Sequence, residues 1–302
     1  MGILFAFLAA AGNAVATVLQ RLGVEQSGHA EVGTSSLLLG VIRRPIWSIG
    51  LVVMTASFLL QALALSRGTL SSIQPVMVTE IVFLAVIIGG WFHAHLGWRE
   101  LAGSIGTAAG LGTFLALSAP TGGAASPTAT EWVALSAASV LAVGLSLVSA
   151  RRGSRAWRAA SYGVAAAICF AMTAACLKAV TDQWSQGLGV VMTHLQLYGV
   201  AAAGAVGLVI NQHALNAGPV AASQSAVLTV NPVASIVMGT WLFGDQWPRS
   251  ESHLISASFG LLVMFVSLVI LSGSPLITAA GTGERLSHHR QSAPDPRPGG
   301  RV

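Results

Sequence analysis

Charged residues are scarce in this sequence. They make up 8% of the 302 residues, whereas a soluble domain carries roughly 25% because its surface must face water. Cysteine occurs only twice, and Cys169 and Cys176 stand on one predicted helix, about 10 Å apart along its axis, a separation that no disulfide spans. These shortages exclude both an ordinary soluble domain and a disulfide-stapled one, and the two cysteines are predicted to be packing residues.

Motifs typical of catalytic or cofactor-binding sites are missing as well. The sequence has no nucleotide-binding loop and no Ser/His or paired-carboxylate arrangement, so neither an enzyme nor a cofactor is expected. The formal charge is +5, but the basic residues lie in loops and tail without interleaved aromatics, so no nucleic-acid partner is expected. His93 and His95 form only a pair, which is too few ligands for a typical metal site.

Long apolar runs take the place of these features. Hydrophobic residues make up 54% of the chain, and a bilayer core about 30 Å thick needs roughly 20 apolar residues per helix. The first run lacks a basic leader, so it is expected to remain in the mature protein. The runs predict an all-α bundle with nine crossings, near residues 3–22, 46–66, 69–92, 101–119, 131–150, 157–178, 188–211, 217–243 and 252–272.

A tenth crossing is the alternative. Residues 32–44 include a short apolar stretch, which is too short to span comfortably and is therefore predicted to be interfacial or re-entrant. A crossing there would move the N-terminus to the cytoplasmic side and leave everything after Arg43 unchanged.

Basic residues are distributed unequally between the two sides of the predicted bundle. With nine crossings, twelve of them fall on one side, while Arg67, Lys178 and Arg249 fall on the other. The positive-inside rule then places the 151–158 loop and the C-terminus on the cytoplasmic side of a bacterial inner membrane, with the N-terminus outside. Residues 274–302 are polar and rich in Pro and Gly, which predicts a disordered cytoplasmic tail.

An internal repeat is visible when the chain is shifted by 150 residues, so that residues 61–92 align with 211–242. The third segment then matches the eighth, and because an offset of five crossings is odd, the two copies are inverted. The first segment pairs with the sixth in this register, while a rival register pairs it with the fifth. Among the matched residues are Gly68, Gln74, Thr79, Gly89 and Trp91, which align with Gly218, Gln224, Thr229, Gly239 and Trp241.

The repeat predicts four regions. Residues 1–125 form the first repeat, and 126–156 form a connecting helix with a basic cytoplasmic loop. Residues 157–273 form the second, inverted repeat, and 274–302 form the tail.

The strings ALSRGTLSSIQPVMVTEIVFLAVIIGGWF and ALNAGPVAASQSAVLTVNPVASIVMGTWLFGD, each followed by a Gly-rich helix, resemble the EamA-type drug/metabolite transporter (DMT) superfamily. Similarity to actinobacterial-type members and to NIPA-like magnesium transporters is strongest. The resemblance implies an inverted-repeat DMT fold and secondary transport of a small metabolite or organic ion, with magnesium or another divalent cation as the alternative. Asp245 stands where that superfamily usually has Glu, and His95 occupies the matching position of the first half.

Apart from Glu131, at the first position of the fifth, Glu80 is the only acid within the nine predicted segments. A charge at the bilayer centre costs about 2.5–3.5 kcal/mol, so a carboxyl there is a functional candidate by default. It is predicted to couple protons or to counter a cationic substrate. The competing interpretation is a protonated Glu that holds two helices together.

Polar side chains elsewhere in the segments complete the candidate site. Their partners must be other protein groups or a water-filled cavity, because lipid offers none. The simpler interpretation is interhelical hydrogen bonding, worth about 0.6 kcal/mol per contact. Pro232 is expected to break the helix after Asn231, at about the same depth in the membrane as Glu80. The set comprises Asn13, Thr17 and Gln20 on one stripe, Gln61, Gln74, Thr79, His194, and Gln224 with Asn231 on a second stripe.

The expected partners are therefore the lipid bilayer and a small-molecule or ion substrate. The sequence leaves a homodimer open.

Overall fold

The structure is a computed structural model, and it describes residues 1–25, 45–91, 97–118, 120–122, 126–248 and 250–274. Within these ranges the regular secondary structure is helical except for one short strand pair, β1 (Thr121–Gly122) with β2 (Asp245–Gln246). The helices are α1 (Gly2–Glu25), α2 (Pro45–Leu65), α3 (Leu70–Met77), α4 (Glu80–Trp91), α5 (Trp98–Ser118), α6 (Ala129–Ser149), α7 (Arg155–Asp182), α8 (Leu188–Thr193), α9 (Leu195–Ala217), α10 (Val220–Leu242) and α11 (Glu251–Ser272), with a 3₁₀ turn at Trp184–Gln186.

Nine segments of the described chain are long and apolar enough to cross a membrane, with α3 and α4 together making one of them. Large hydrophobic side chains such as Leu59, Val140 and Ile255 lie exposed on their outer faces, as expected for helices that contact lipid. The all-α prediction is confirmed, and the apolar helices are compatible with the predicted multi-pass membrane protein. Two boundaries differ, because the sixth span continues to Asp182 and the seventh starts at Leu195, where extended backbone at His194 separates α9 from α8.

Helices α1 and α2 pack antiparallel through small residues. The backbone of Gly2 approaches the carbonyl oxygens of Ala64 and Arg67, and Gly50 lies against the Gln20 side chain near the other end of the pair. The end of α1 and the start of α2 therefore lie at the same end of the bundle. The stretch 32–44, predicted to be interfacial or re-entrant, lies outside the described residues.

The nine-crossing arrangement predicts the location of reporters fused to the chain. The first residue and the end of α11 lie on opposite faces after nine crossings, so a reporter at the N-terminus is expected outside and one after residue 274 inside. Alkaline phosphatase, active only outside the cytoplasm, and green fluorescent protein, fluorescent only inside, provide the two readings. Cytoplasmic fluorescence from both ends would contradict the nine-crossing arrangement.

The centre of the bundle is α7. Within its span 72% of the residues in the most apolar window are buried, against 6% for α6, which lies at the periphery. Helix α7 packs against α9 where Gly199 meets Cys176, and against α10 where Gly163 meets the carbonyl oxygen of Ser223. Both cysteines are free and buried, which confirms their prediction as small packing residues.

Helices α5 and α11 cross in close antiparallel contact. Gly103, early in α5, approaches Leu271, late in α11, while Gly110 approaches Gly260 and Met264. A Cβ on Gly110 would lie 2.5 Å from the Gly260 carbonyl oxygen, and a Cβ on Gly260 would lie 2.8 Å from that of Gly110. The contact is therefore reciprocal, and it brings two helix backbones together with no side chain between them.

Helices α3 and α10 form a second antiparallel contact, in which the start of α3 meets the end of α10. The Ser71 hydroxyl donates to the Ile236 carbonyl oxygen (3.3 Å), and the Ser71 backbone N–H donates to Asp245 Oδ2 (3.0 Å). Asp245 is buried, and its carboxylate satisfies one of the free N–H groups of the first turn of α3. Strands β1 and β2 join the end of α5 to the start of α11 at the same end of the bundle.

Candidate functional site

The third span is broken near its middle. Helix α3 ends at Met77 and α4 begins at Glu80. Pro75 lacks the N–H that would bond one turn back, and the Val76 carbonyl oxygen accepts from both the N–H (3.0 Å) and the hydroxyl (2.7 Å) of Thr79. Because Thr79 bonds three residues back, the turn tightens and the regular helix stops. The break leaves Glu80 in the first turn of a new helix.

Glu80 is held from the first span. The Asn13 side chain on α1 donates from Nδ2 to Glu80 Oε2 at 3.3 Å. Glu80 is the eleventh of 21 residues in its span and Asn13 the twelfth of 19 in its own, so both lie near the membrane midplane. The structure thus joins two of the predicted site residues and places them at a break in the backbone.

Unpartnered polar atoms lie on α3 and on α10, which packs against it. The Nε2 of Gln74, the Oδ1 of Asn231 and the hydroxyls of Ser235 and Thr229 are buried without a hydrogen-bond partner. Ser71 meets Ile236 across the same pair of helices, so Gln74, one turn further along α3, lies at about the level of Ser235. Buried polar atoms without a partner are rare in folded proteins, and they favour a site that water or a solute completes.

The predicted break at Asn231-Pro232 is not found. Helix α10 runs without interruption from Val220 to Leu242 with Pro232 inside it. A proline removes one hydrogen bond from a helix, and α10 continues through that loss. Thr229, which the repeat aligns with Thr79, makes no hydrogen bond through its hydroxyl, whereas that of Thr79 bonds the carbonyl that would continue the helix. The helix break therefore lies in the third span, directly before Glu80, and not in α10.

The other predicted site residues are dispersed. Gln20 packs on Gly50 and donates from Nε2 to Met54 Sδ at 3.6 Å, so it belongs to the contact between α1 and α2. Thr17 is exposed, while Gln61 and Gln224 are half-buried. His194 is not near Glu80 along the bundle axis, because it lines a cavity at the end where α7 stops.

That cavity contains a pair that the sequence analysis did not single out. Lys178 is 6% exposed and its Nζ lies 2.6 Å from Asp182 Oδ1, one turn further along α7. The predicted sixth segment ends at 178, which leaves Asp182 outside the membrane, although α7 continues to include it. The signal was present as the only lysine of the chain followed four residues later by an acid, a spacing that brings side chains together on a helix.

Metal ligation gains no support from the described side chains. In the ranges that the structure covers, no three His, Cys, Asp or Glu residues lie close enough together to hold an ion. His93 and His95 lie outside the described residues.

Comparison with known proteins adds one relative. No family model and no solved structure matches the chain. A curated protein of Corynebacterium glutamicum, described only as uncharacterized, is 25% identical over 281 residues, which is 92% of this chain and 97% of the relative. The similarity therefore extends through both halves of the helical bundle and supplies no activity.

Proposed function

We propose that this chain is a secondary membrane carrier of a small metabolite or organic ion, built from two inverted copies that alternate access to a central site. The main support for the proposal is the position of Glu80. It lies in the middle of its span, directly after a break in the helix, and it accepts a hydrogen bond from Asn13 of the first span. Discontinuous helices near the midplane are where many secondary carriers bind substrate and coupling ions.

The helix boundaries support the two-copy organisation. Helices α2 and α9 begin 150 residues apart, at Pro45 and Leu195, and α3 and α10 also begin 150 residues apart, at Leu70 and Val220. In this register α1 corresponds to α7. Each packs on the matching neighbours, α1 on α2 and on the α3/α4 pair, and α7 on α9 and α10. The packing favours pairing the first span with the sixth rather than with the fifth.

The close antiparallel contacts support the inversion. Helices α5 and α11 are counterparts in the same register, and they run in opposite directions where they meet. Gly110 and Gly260 are 150 residues apart and touch each other, as residues related by a two-fold axis do at that axis. Helices α3 and α10, also counterparts, are antiparallel as well. Inverted copies of this kind belong to the EamA-type carriers that the sequence resembles.

Glu80 has the role of coupling proton movement to solute movement in this proposal. Its carboxyl can exist with or without a proton, and the Asn13 amide can donate to either form. The unpartnered atoms of Gln74, Asn231 and Ser235 then provide hydrogen-bonding positions for a solute at similar depth. A magnesium path is less well supported, because Mg²⁺ requires several oxygen ligands and Glu80 has no such cluster around it among the described side chains.

Counterflow tests the proposal. The full-length protein is reconstituted in proteoliposomes loaded with a mixture of unlabelled metabolites, and trace radiolabelled solutes are supplied outside one at a time. A carrier is expected to accumulate at least one label transiently, as unlabelled solute leaves, over liposomes without protein. Magnesium entry without counterflow of any organic solute would replace the proposal with the cation path.

A further inference from the structure

A cavity of about 850 Å³ lies at one end of the bundle, opposite the turn between α6 and α7. Its wall is formed where α1, α3, α6 and α9 start and where α2, α7 and α10 end. Pockets that hold small molecules have volumes of about 300–1,000 Å³. The cavity is thus large enough for a metabolite, and it lies some ten residues of α3 and α4, about 15 Å, from the Glu80 level.

The charged side chains of the wall are Arg67, Lys178 and Asp182. Asp182 accepts from Lys178, so these side chains carry one positive charge in excess, and the Met1 amine lines the same wall. Arg67 is exposed beside the Phe5 ring, with its guanidinium 5.1 Å from the ring centre. Lys178 is almost fully buried, and an ammonium group has three donors, of which Asp182 takes one. This arrangement favours an anionic group bound between Lys178 and Arg67.

Two unpartnered acceptors in the same wall add a second requirement. The Oε1 atoms of Gln183 and Gln196 are buried without a donor. A buried acceptor left without a partner costs roughly 1–3 kcal/mol, so a ligand that supplies an O–H or N–H donor is favoured over one that carries only an anion.

We propose that this cavity binds a small organic acid that carries a hydroxyl or amino group. Its carboxylate and the Asp182 carboxylate both accept from the Lys178 ammonium, and the ligand carboxylate also contacts Arg67. A hydroxyl of the ligand donates to Gln183, and an amino group donates to both Gln183 and Gln196. The inference names a substrate class for the proposed carrier and rests on that function. Binding itself is measured without transport, so the two proposals fail separately.

Lys178 provides a specific probe because it is the only lysine of the chain. The purified full-length protein in detergent is treated with an amine-acylating succinimidyl ester. Modification of the Lys178 peptide is followed by mass spectrometry, with an added lysine-containing peptide as internal reference because Met1 itself lines the cavity. Lactate and alanine are expected to slow acylation of Lys178 at least threefold relative to the reference peptide. Acetate and sulfate, which are anions without a hydrogen-bond donor at neutral pH, are expected to protect less.

Matched variants test the wall. Arg67→Gln and Gln183→Leu are expected to reduce the protection at least threefold, whereas Arg99→Gln, an exposed arginine that does not line the cavity, is expected to leave it unchanged. Absence of protection by both acids, equal protection by sulfate, or equal protection in Arg67→Gln and Arg99→Gln would each overturn the inference. Counterflow without protection rejects this site and keeps the carrier, while protection without counterflow does the reverse.

Discussion

Replacement of Glu80 by glutamine is expected to reduce proton-driven solute accumulation at least tenfold, while solute exchange in the absence of a gradient continues. Glutamine has nearly the shape of glutamate and keeps an oxygen that accepts from Asn13, as Oε2 does at 3.3 Å. It cannot gain or lose a proton, so coupling is lost and the fold is preserved. The measurement compares accumulation under an imposed pH gradient with counterflow, in proteoliposomes, for a solute that the native protein exchanges.

The matched control for this substitution is Glu251→Gln. Glu251 is exposed in the first turn of α11, and its replacement is expected to change neither activity. Asn13→Ala, which removes the hydrogen bond and keeps the carboxyl, is expected to shift the pH dependence of accumulation without abolishing it. If Glu80→Gln retains full accumulation with the native pH dependence, Glu80 is a packing residue and the coupling role is rejected.

Replacement of Gly110 by alanine is expected to lower the stability of the helical bundle. The new Cβ would lie 2.5 Å from the Gly260 carbonyl oxygen and 2.5 Å from the Met264 nitrogen, and both are backbone atoms that cannot turn aside. Helices α5 and α11 must then separate, and overpacking of this kind costs about 1–3 kcal/mol. Thermal unfolding followed by tryptophan fluorescence in detergent measures the loss.

Gly112 provides the control on the same helix. A Cβ at Gly112 meets nothing within 4 Å, and alanine is favoured over glycine in a helix by about 1 kcal/mol, so Gly112→Ala is expected to be neutral or stabilising. Gly260→Ala is expected to resemble Gly110→Ala, because each residue abuts the backbone of the other. Equal melting temperatures for Gly110→Ala and Gly112→Ala would show that the α5–α11 contact is looser than described.

Properties that depend on the hydropathy of successive residues were predictable from the sequence. A span is recognised by about 20 apolar residues in succession, so nine spans were placed with small errors at their ends. Glu80 was identified in the same way, since an acid in such a run is conspicuous whatever surrounds it. Two errors were larger. The sixth span continues to Asp182 because the ion pair of Lys178 with Asp182 allows a helix to pass charges that hydropathy counts as a boundary, and the seventh starts at Leu195 because extended backbone at His194 separates it from the short helix before it.

The tertiary structure decided which polar groups meet. Rotation of each helix about its axis determines which face it presents to its neighbours, and hydropathy barely encodes that rotation when apolar residues cover every face. Asn13 therefore had no predictable partner until α1 was placed against α4, and Gln20 of the same helix contacts α2 instead. The position of the helix break depended on whether a threonine hydroxyl competed for the backbone, which occurs at Thr79 and does not at Thr229. The sequence alone determined that the chain is a multi-pass helical protein with an acid in its interior, because burial in lipid is a local property. The surroundings of that acid, and the charged cavity beyond it, follow only from long-range packing.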